Sequence, residues 1–216
     1  IWINPGETGL DAFGNDKRTN GVDDDSDGET DDWHGWDFGG ANFNNPVEDN
    51  DPAPTGDNVA HGTHVAGLAS GVTNNHTGIA GVGYHCRILA VKTSADNDTR
   101  AGGFAYIIAG FQGVAYAARM GANVISLSWG GPGASQFEQD VVNSATEHGS
   151  LVVAAAGNGG SSETSYPSGY DHVIAVAATN TGDVRESYSN FGTTIDVCAP
   201  GGDYNGANTS LLSTYY

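Results

Sequence analysis

Val124-Ile125-Ser126-Leu127-Ser128, then Ser135 through His148, then Leu151-Val152-Val153-Ala154-Ala155-Ala156 decide how this chain folds. The two flanking runs are compact and apolar without alternation, the pattern of parallel strands covered on two faces. Between them Ser135 and Glu138 have the spacing of a capping box, opening a helix in which Phe137, Val141, Ala145 and His148 share a face before Gly149. Strand, helix, strand is the resulting unit. Working outward, Val173–Ala178 and Ile195–Ala199 read as further strands and Ile88–Lys92 as a short buried one. His61–Ser70 reads as a helix, and so does Gly103–Met120, where Phe104, Ile107, Ile108, Phe111, Val114, Ala115 and Ala118 recur at helical spacing before Gly121. The expected class is α/β: an open, doubly wound, mostly parallel sheet with helices on both faces. Such sheets place their sites at the carboxyl ends of strands, where Ser128 and Asn158 fall.

The 216 residues, 38% hydrophobic, suffice for one sizeable core. A formal charge of −19, from 26 acids against 7 Lys plus Arg, excludes a nucleic acid or an anionic membrane as the expected partner. Fifteen of the acids precede His61, so the imbalance is local. Residues 1–60 are rich in Asp, Asn, Gly and Pro and read as a loop-rich acidic region, with 61–216 as the α/β core. No apolar run is long enough to span a bilayer. Cys86 and Cys198 read as free, buried thiols, because each adjoins an apolar strand-like segment.

Two short stretches carry chemistry. His61-Gly62-Thr63-His64-Val65-Ala66-Gly67 sets an imidazole at the head of a helix of small residues, where it can sit deep in a packed interior and work as a general base. Ala155-Ala156-Gly157-Asn158 ends an apolar strand in a tight turn that points a carboxamide donor into a cleft. A zinc site at His61 and His64 is disfavoured, since zinc hydrolases space two His at i and i+4 with a Glu between.

In order and surroundings these stretches resemble the subtilisin-like serine proteases, the subtilases. The resemblance implies that His61 takes the proton from a serine hydroxyl and returns it to the leaving amine, and that Asn158 donates to the tetrahedral oxyanion. It also implies that Ser128, Trp129 and Gly130 line an extended protein or peptide substrate. Ala101, Gly102 and Gly103 would form the opposite wall, Phe104, Ile107 and Trp129 an apolar subsite, and Ala155, Gly157 and Ser165 the primary pocket. No charge lies in that set, so sizeable apolar or aromatic residues before the cut are expected. The family's order is Asp, His, Ser. Asp27-Gly28 is embedded in acids with no apolar run before it, and Ser210 lacks the preceding Gly. These residues are therefore expected to be the interior of a catalytic domain, inactive alone. Secretion, a propeptide and a monomeric state are further implications of the resemblance.

Residues 23–32 hold seven acids in ten positions. Asp23, Asp25 and Asp27 followed by Gly28 resemble the front half of an EF-hand-like calcium loop. The twelfth position is His34, so Asp31 or Asp32 has to close the shell. A second calcium position, carried by Asn75, is implied by the same family resemblance. The competing function is a non-catalytic, calcium-stabilised binding module with the same fold.

Overall fold

The computed structural model describes residues 1–55, 60–98, 105–202 and 211–214. The chain forms two compact units: Ile1–Gly113 with Leu212–Tyr216, and Val114–Leu211.

The first unit contains β1 (Gly35–Asp37), α1 (His61–Ser70), β2 (Ala90–Lys92) and the start of α2 (Gly110–Arg119). β1 pairs in parallel with β2, Gly35 opposite Ala90 and Asp37 opposite Lys92. Residues 1–55 are otherwise turns and loops, as their composition predicts, with β1 as an addition. Three residues have no periodicity to read, and β1 exists because β2 pairs with it. Lys92 is the reason the pairing tolerates a buried Asp37: its Nζ lies 3.0 Å from Asp37 Oδ2 and also meets Asp96, while Asp37 Oδ1 accepts from Gly39 and Gly40.

α2 starts later than its apolar spacing predicts. The Ile108 and Ala109 N–H groups donate to the Thr93 carbonyl at 2.9 and 3.3 Å, and the Tyr106 N–H to Asp98 Oδ2 at 2.6 Å. Donors committed elsewhere cannot close helical turns. Gly103 and Phe104 lie outside the described residues. At the other end Gly121 takes φ of +74° and the Ala122 N–H donates to Ala117, the glycine stop that the sequence predicts.

The second unit is built on a four-stranded parallel sheet in the order β3 (Val124–Leu127), β4 (Leu151–Ala155), β5 (Val173–Thr179) and β6 (Val197–Pro200). The expected parallel α/β architecture is therefore present. Ile125, Leu127, Val152, Ala154, Val173, Ala175 and Ala177 share the buried face. On the opposite face Val124, Leu151 and Val197 are 58%, 45% and 49% exposed, so within this unit burial alternates where uniform burial was expected.

α3 (Gln136–Glu147) packs against β4. Of the expected stripe Ala145 is buried, with Val142 beside it, while Phe137 is 70% exposed. The expected capping box does not form. Ser135 makes no side-chain cap bond; its N–H donates to the Tyr170 hydroxyl at 2.8 Å, and that hydroxyl donates to Glu138 Oε2. Tyr170 thereby links the two box residues from outside the helix. Both cysteines are free, as expected, but exposed and not buried. β6 is an edge strand exposed along its whole length, and Cys86 lies in a loop after α1.

Candidate functional site

His61 opens α1 and is solvent-exposed, a correction to the deep position expected of it. Its surroundings still remove enough water from the ring to lower its pKa below the usual imidazole value, with the nearby His64 adding to the effect. Chain returning near the end braces the helix beneath it. Ser213 Oγ donates to the His64 carbonyl at 2.5 Å and Thr214 Oγ1 to that of Thr63 at 2.7 Å. Gly67 permits this approach, since a Cβ there would stand 2.2 Å from Thr214 Oγ1.

In the second unit the loops after β3 and β4 come together. Gly131 and Tyr166 exchange both backbone hydrogen bonds at 2.9 Å, tying residues 128–131 beside 165–166. A Cβ on Gly130 would lie 2.7 Å from Ser165 Oγ, and one on Gly157 3.6 Å from Ser165 Cβ. Gly130, Gly157 and Ser165 therefore share one small neighbourhood. Ser128, Gly130, Ala155 and Asn158 are exposed, and Trp129 is half-buried. Gly157 has φ of +103°, a conformation in which a side chain is strained. The Ala101, Gly102, Gly103 and Phe104 assignments fall outside the described residues.

Asn190 is the residue that sequence reading missed here. It is 8% exposed, and its Nδ2 donates to the Ala156 carbonyl at 2.9 Å. Its Oδ1 accepts from Gly159 at 2.9 Å and Ser161 at 3.3 Å, and its own N–H donates to Gly157 O at 3.0 Å. The turn carrying Asn158 is thus held on both sides by one carboxamide. No signal within residues 155–161 points to a partner thirty positions on.

In the acidic loop Asp23 folds the chain over itself: Oδ1 accepts from Ser26 at 2.7 Å and Oδ2 from Gly28 at 3.0 Å. Carboxylate oxygens of Asp25, Asp27 and Asp32 lie within 4.8 Å of one another, and Asp32 is wholly buried. Asp31 instead accepts from the Gly21 N–H and is absent from that cluster. Asn75 is exposed, and its Oδ1 accepts from Thr77 at 3.0 Å.

The subtilase family model matches residues 9–216. The chain belongs to the subtilase family. Among curated relatives, this subtilase is 46% identical over 167 residues to thermitase of Thermoactinomyces vulgaris, covering 77% of this chain and 54% of thermitase. It is 38% identical over 156 residues to the halolysin-like extracellular serine protease Nep of Natrialba magadii, covering 72% of this chain and 28% of Nep. The chain thus spans about half the length of thermitase. A solved protease of Pseudoalteromonas arctica superposes with a TM-score of 0.69 at 28% identity, covering 84% of this chain and 63% of that one. A psychrophilic subtilisin-like protease from an Antarctic Pseudoalteromonas gives 0.61 at 32% identity, covering 76% and 36%.

Among the described residues, no helix of this subtilase is long and apolar enough to cross a membrane.

Proposed function

We propose that this subtilase chain supplies the general base and the oxyanion donor of a serine endopeptidase. His61 accepts the serine proton as the hydroxyl attacks the scissile carbonyl. Asn158 donates its side-chain N–H to the oxygen that becomes negative, and His61 then protonates the leaving amine. Backbone of Ser128, Trp129 and Gly130 receives the substrate as an added strand, with Gly102 on the other wall and Phe104 in an apolar subsite. Ala155, Gly157 and Ser165 line the pocket for an apolar or aromatic side chain. One observation carries the reading: the loops after two neighbouring parallel strands converge with Asn158 exposed on a turn that Asn190 braces from below.

One calcium ion held by Asp23, Asp25, Asp27 and Asp32 would stabilise the acidic loop, and Asn75 would contribute to another. The close approach of Asp25, Asp27 and Asp32 supports the first, because left bare they repel. Such an enzyme works outside the cell on protein or peptide substrates, as a monomer.

The test uses the full-length enzyme. His61→Ala should abolish turnover of a peptide substrate with an aromatic residue before the cut. Asn158→Ala should lower kcat by about 10²–10³, the loss known for the equivalent donor in subtilisin. The 216-residue chain alone should not react with an active-site phosphonate. Turnover that survives His61→Ala would overturn the proposal. So would a full-length enzyme inert to both peptide and phosphonate, which is the behaviour of a binding module.

A further inference from the structure

Glu7 is fully buried, yet one of its oxygens, Oε2, makes no hydrogen bond. The other, Oε1, accepts the Asp24 N–H at 2.6 Å. A buried carboxylate oxygen without a donor costs free energy unless something positive meets it. The cation nearest in the chain's own chemistry is engaged elsewhere: Lys17 Nζ lies 3.6 Å from Asp24 and donates to the Gly6 carbonyl at 3.0 Å. What Glu7 does meet is more negative charge. One oxygen each of Glu7, Asp23 and Asp25 lie within 4.8 Å of one another.

Oxygens this close can share one hard ion, since two oxygens each about 2.3–2.6 Å from calcium stand no more than about 5 Å apart. Asp25 belongs both to this group and to the group with Asp27 and Asp32. Asn4, 3% exposed, spans the two, donating from Nδ2 to Asp25 Oδ2 at 3.0 Å and to Asp32 Oδ1 at 2.6 Å. Gly6 leaves room for Asp25, since a Cβ there would lie 2.2 Å from Asp25 Oδ2.

We propose that the acidic loop holds two calcium ions bridged by the Asp25 carboxylate, one with Glu7 and Asp23 and the other with Asp27 and Asp32. The inference extends the single-ion reading of the loop and rests on it. Five carboxylates against two divalent cations leave a nearly neutral cluster, and the Glu7 ligand ties the N-terminal segment to a loop some twenty residues away.

The experiment counts ions. Protein stripped with chelator and reloaded with calcium alone is examined by native mass spectrometry and calorimetric titration. Compared with wild type, Glu7→Gln should carry one ion fewer, Asp32→Asn one fewer, and the two together two fewer. Asp25→Asn should also lose two. In calcium-free buffer Glu7→Gln should melt no lower than wild type, because it removes a buried ionisable group and keeps its shape. That shows any lost ion to be a lost ligand and not lost folding. A full ion count in Glu7→Gln would overturn the bridged pair: if Asp32→Asn still loses an ion, the single-ion loop stands. No ion lost in any variant sinks both, leaving Glu7 a neutral buried carboxyl.

Discussion

Removing the Asn190 carboxamide is the sharpest test of how the oxyanion turn is held. Asn190→Ala deletes three hydrogen bonds, to the Ala156 carbonyl and from the Gly159 and Ser161 N–H groups. At about 1 kcal/mol each the expected loss of stability is about 3 kcal/mol. For a chain of 216 residues that corresponds to roughly 6–12 °C in Tm. The larger consequence is for Asn158. If Asn158 is the oxyanion donor proposed above, loosening its turn misaims its N–H, so kcat should fall with little change in KM. Because Asn190 acts through Asn158, the two losses should not add: in the full-length enzyme, the double variant Asn158→Ala with Asn190→Ala should have the kcat of Asn158→Ala alone. Asn190→Asp keeps the acceptor for Gly159 and Ser161, loses the donor to Ala156, and should fall between. Fully additive effects on kcat, or an unchanged kcat in Asn190→Ala, would refute the brace.

Three further outcomes are expected. Gly130→Ala should raise KM severalfold for extended peptides, because its Cβ would stand 2.9 Å from the Tyr166 carbonyl and part the Gly131–Tyr166 pairing; an unchanged KM would refute that role. The His61 ring, followed by NMR in the 216-residue chain, should titrate below the ordinary imidazole value. Between that ordinary value and its own lower one the unfolded chain binds more protons, so this group favours the folded state above the window and loses that contribution as pH falls through it; solvent screening at an exposed ring keeps the effect small. A His61 pKa above the usual value would contradict the assignment. Both Cys86 and Cys198 in the native 216-residue chain should react promptly with a thiol reagent, two per chain, whereas buried thiols would react only on unfolding.

Much of the architecture was legible because it depends on near neighbours. Apolar runs gave the parallel strands within two residues, and Gly121 and Gly149, at φ of +74° and +90°, end helices where the pattern stops. The start of α2 was misread because its spacing is helical while its N–H groups have other acceptors at Thr93 and Asp98. The α3 stripe was right at Ala145 and wrong at Phe137, which looks like core but is 70% exposed, and the Tyr170 bond to Glu138 comes from thirty-two positions away.

Sequence alone determined the α/β class and the family resemblance, and it singled out the His61 and Asn158 motifs and the alternating acids of residues 23–27 as candidates, since residue type and close spacing are written in order along the chain. Tertiary structure decided which distant groups meet them: Asn190 bonded to the turn that carries Asn158, Asp32 beside Asp25 and Asp27, and Glu7 beside Asp23 and Asp25. The physical reason is that a buried polar group must find its partner wherever folding brings one, and nothing local records that meeting.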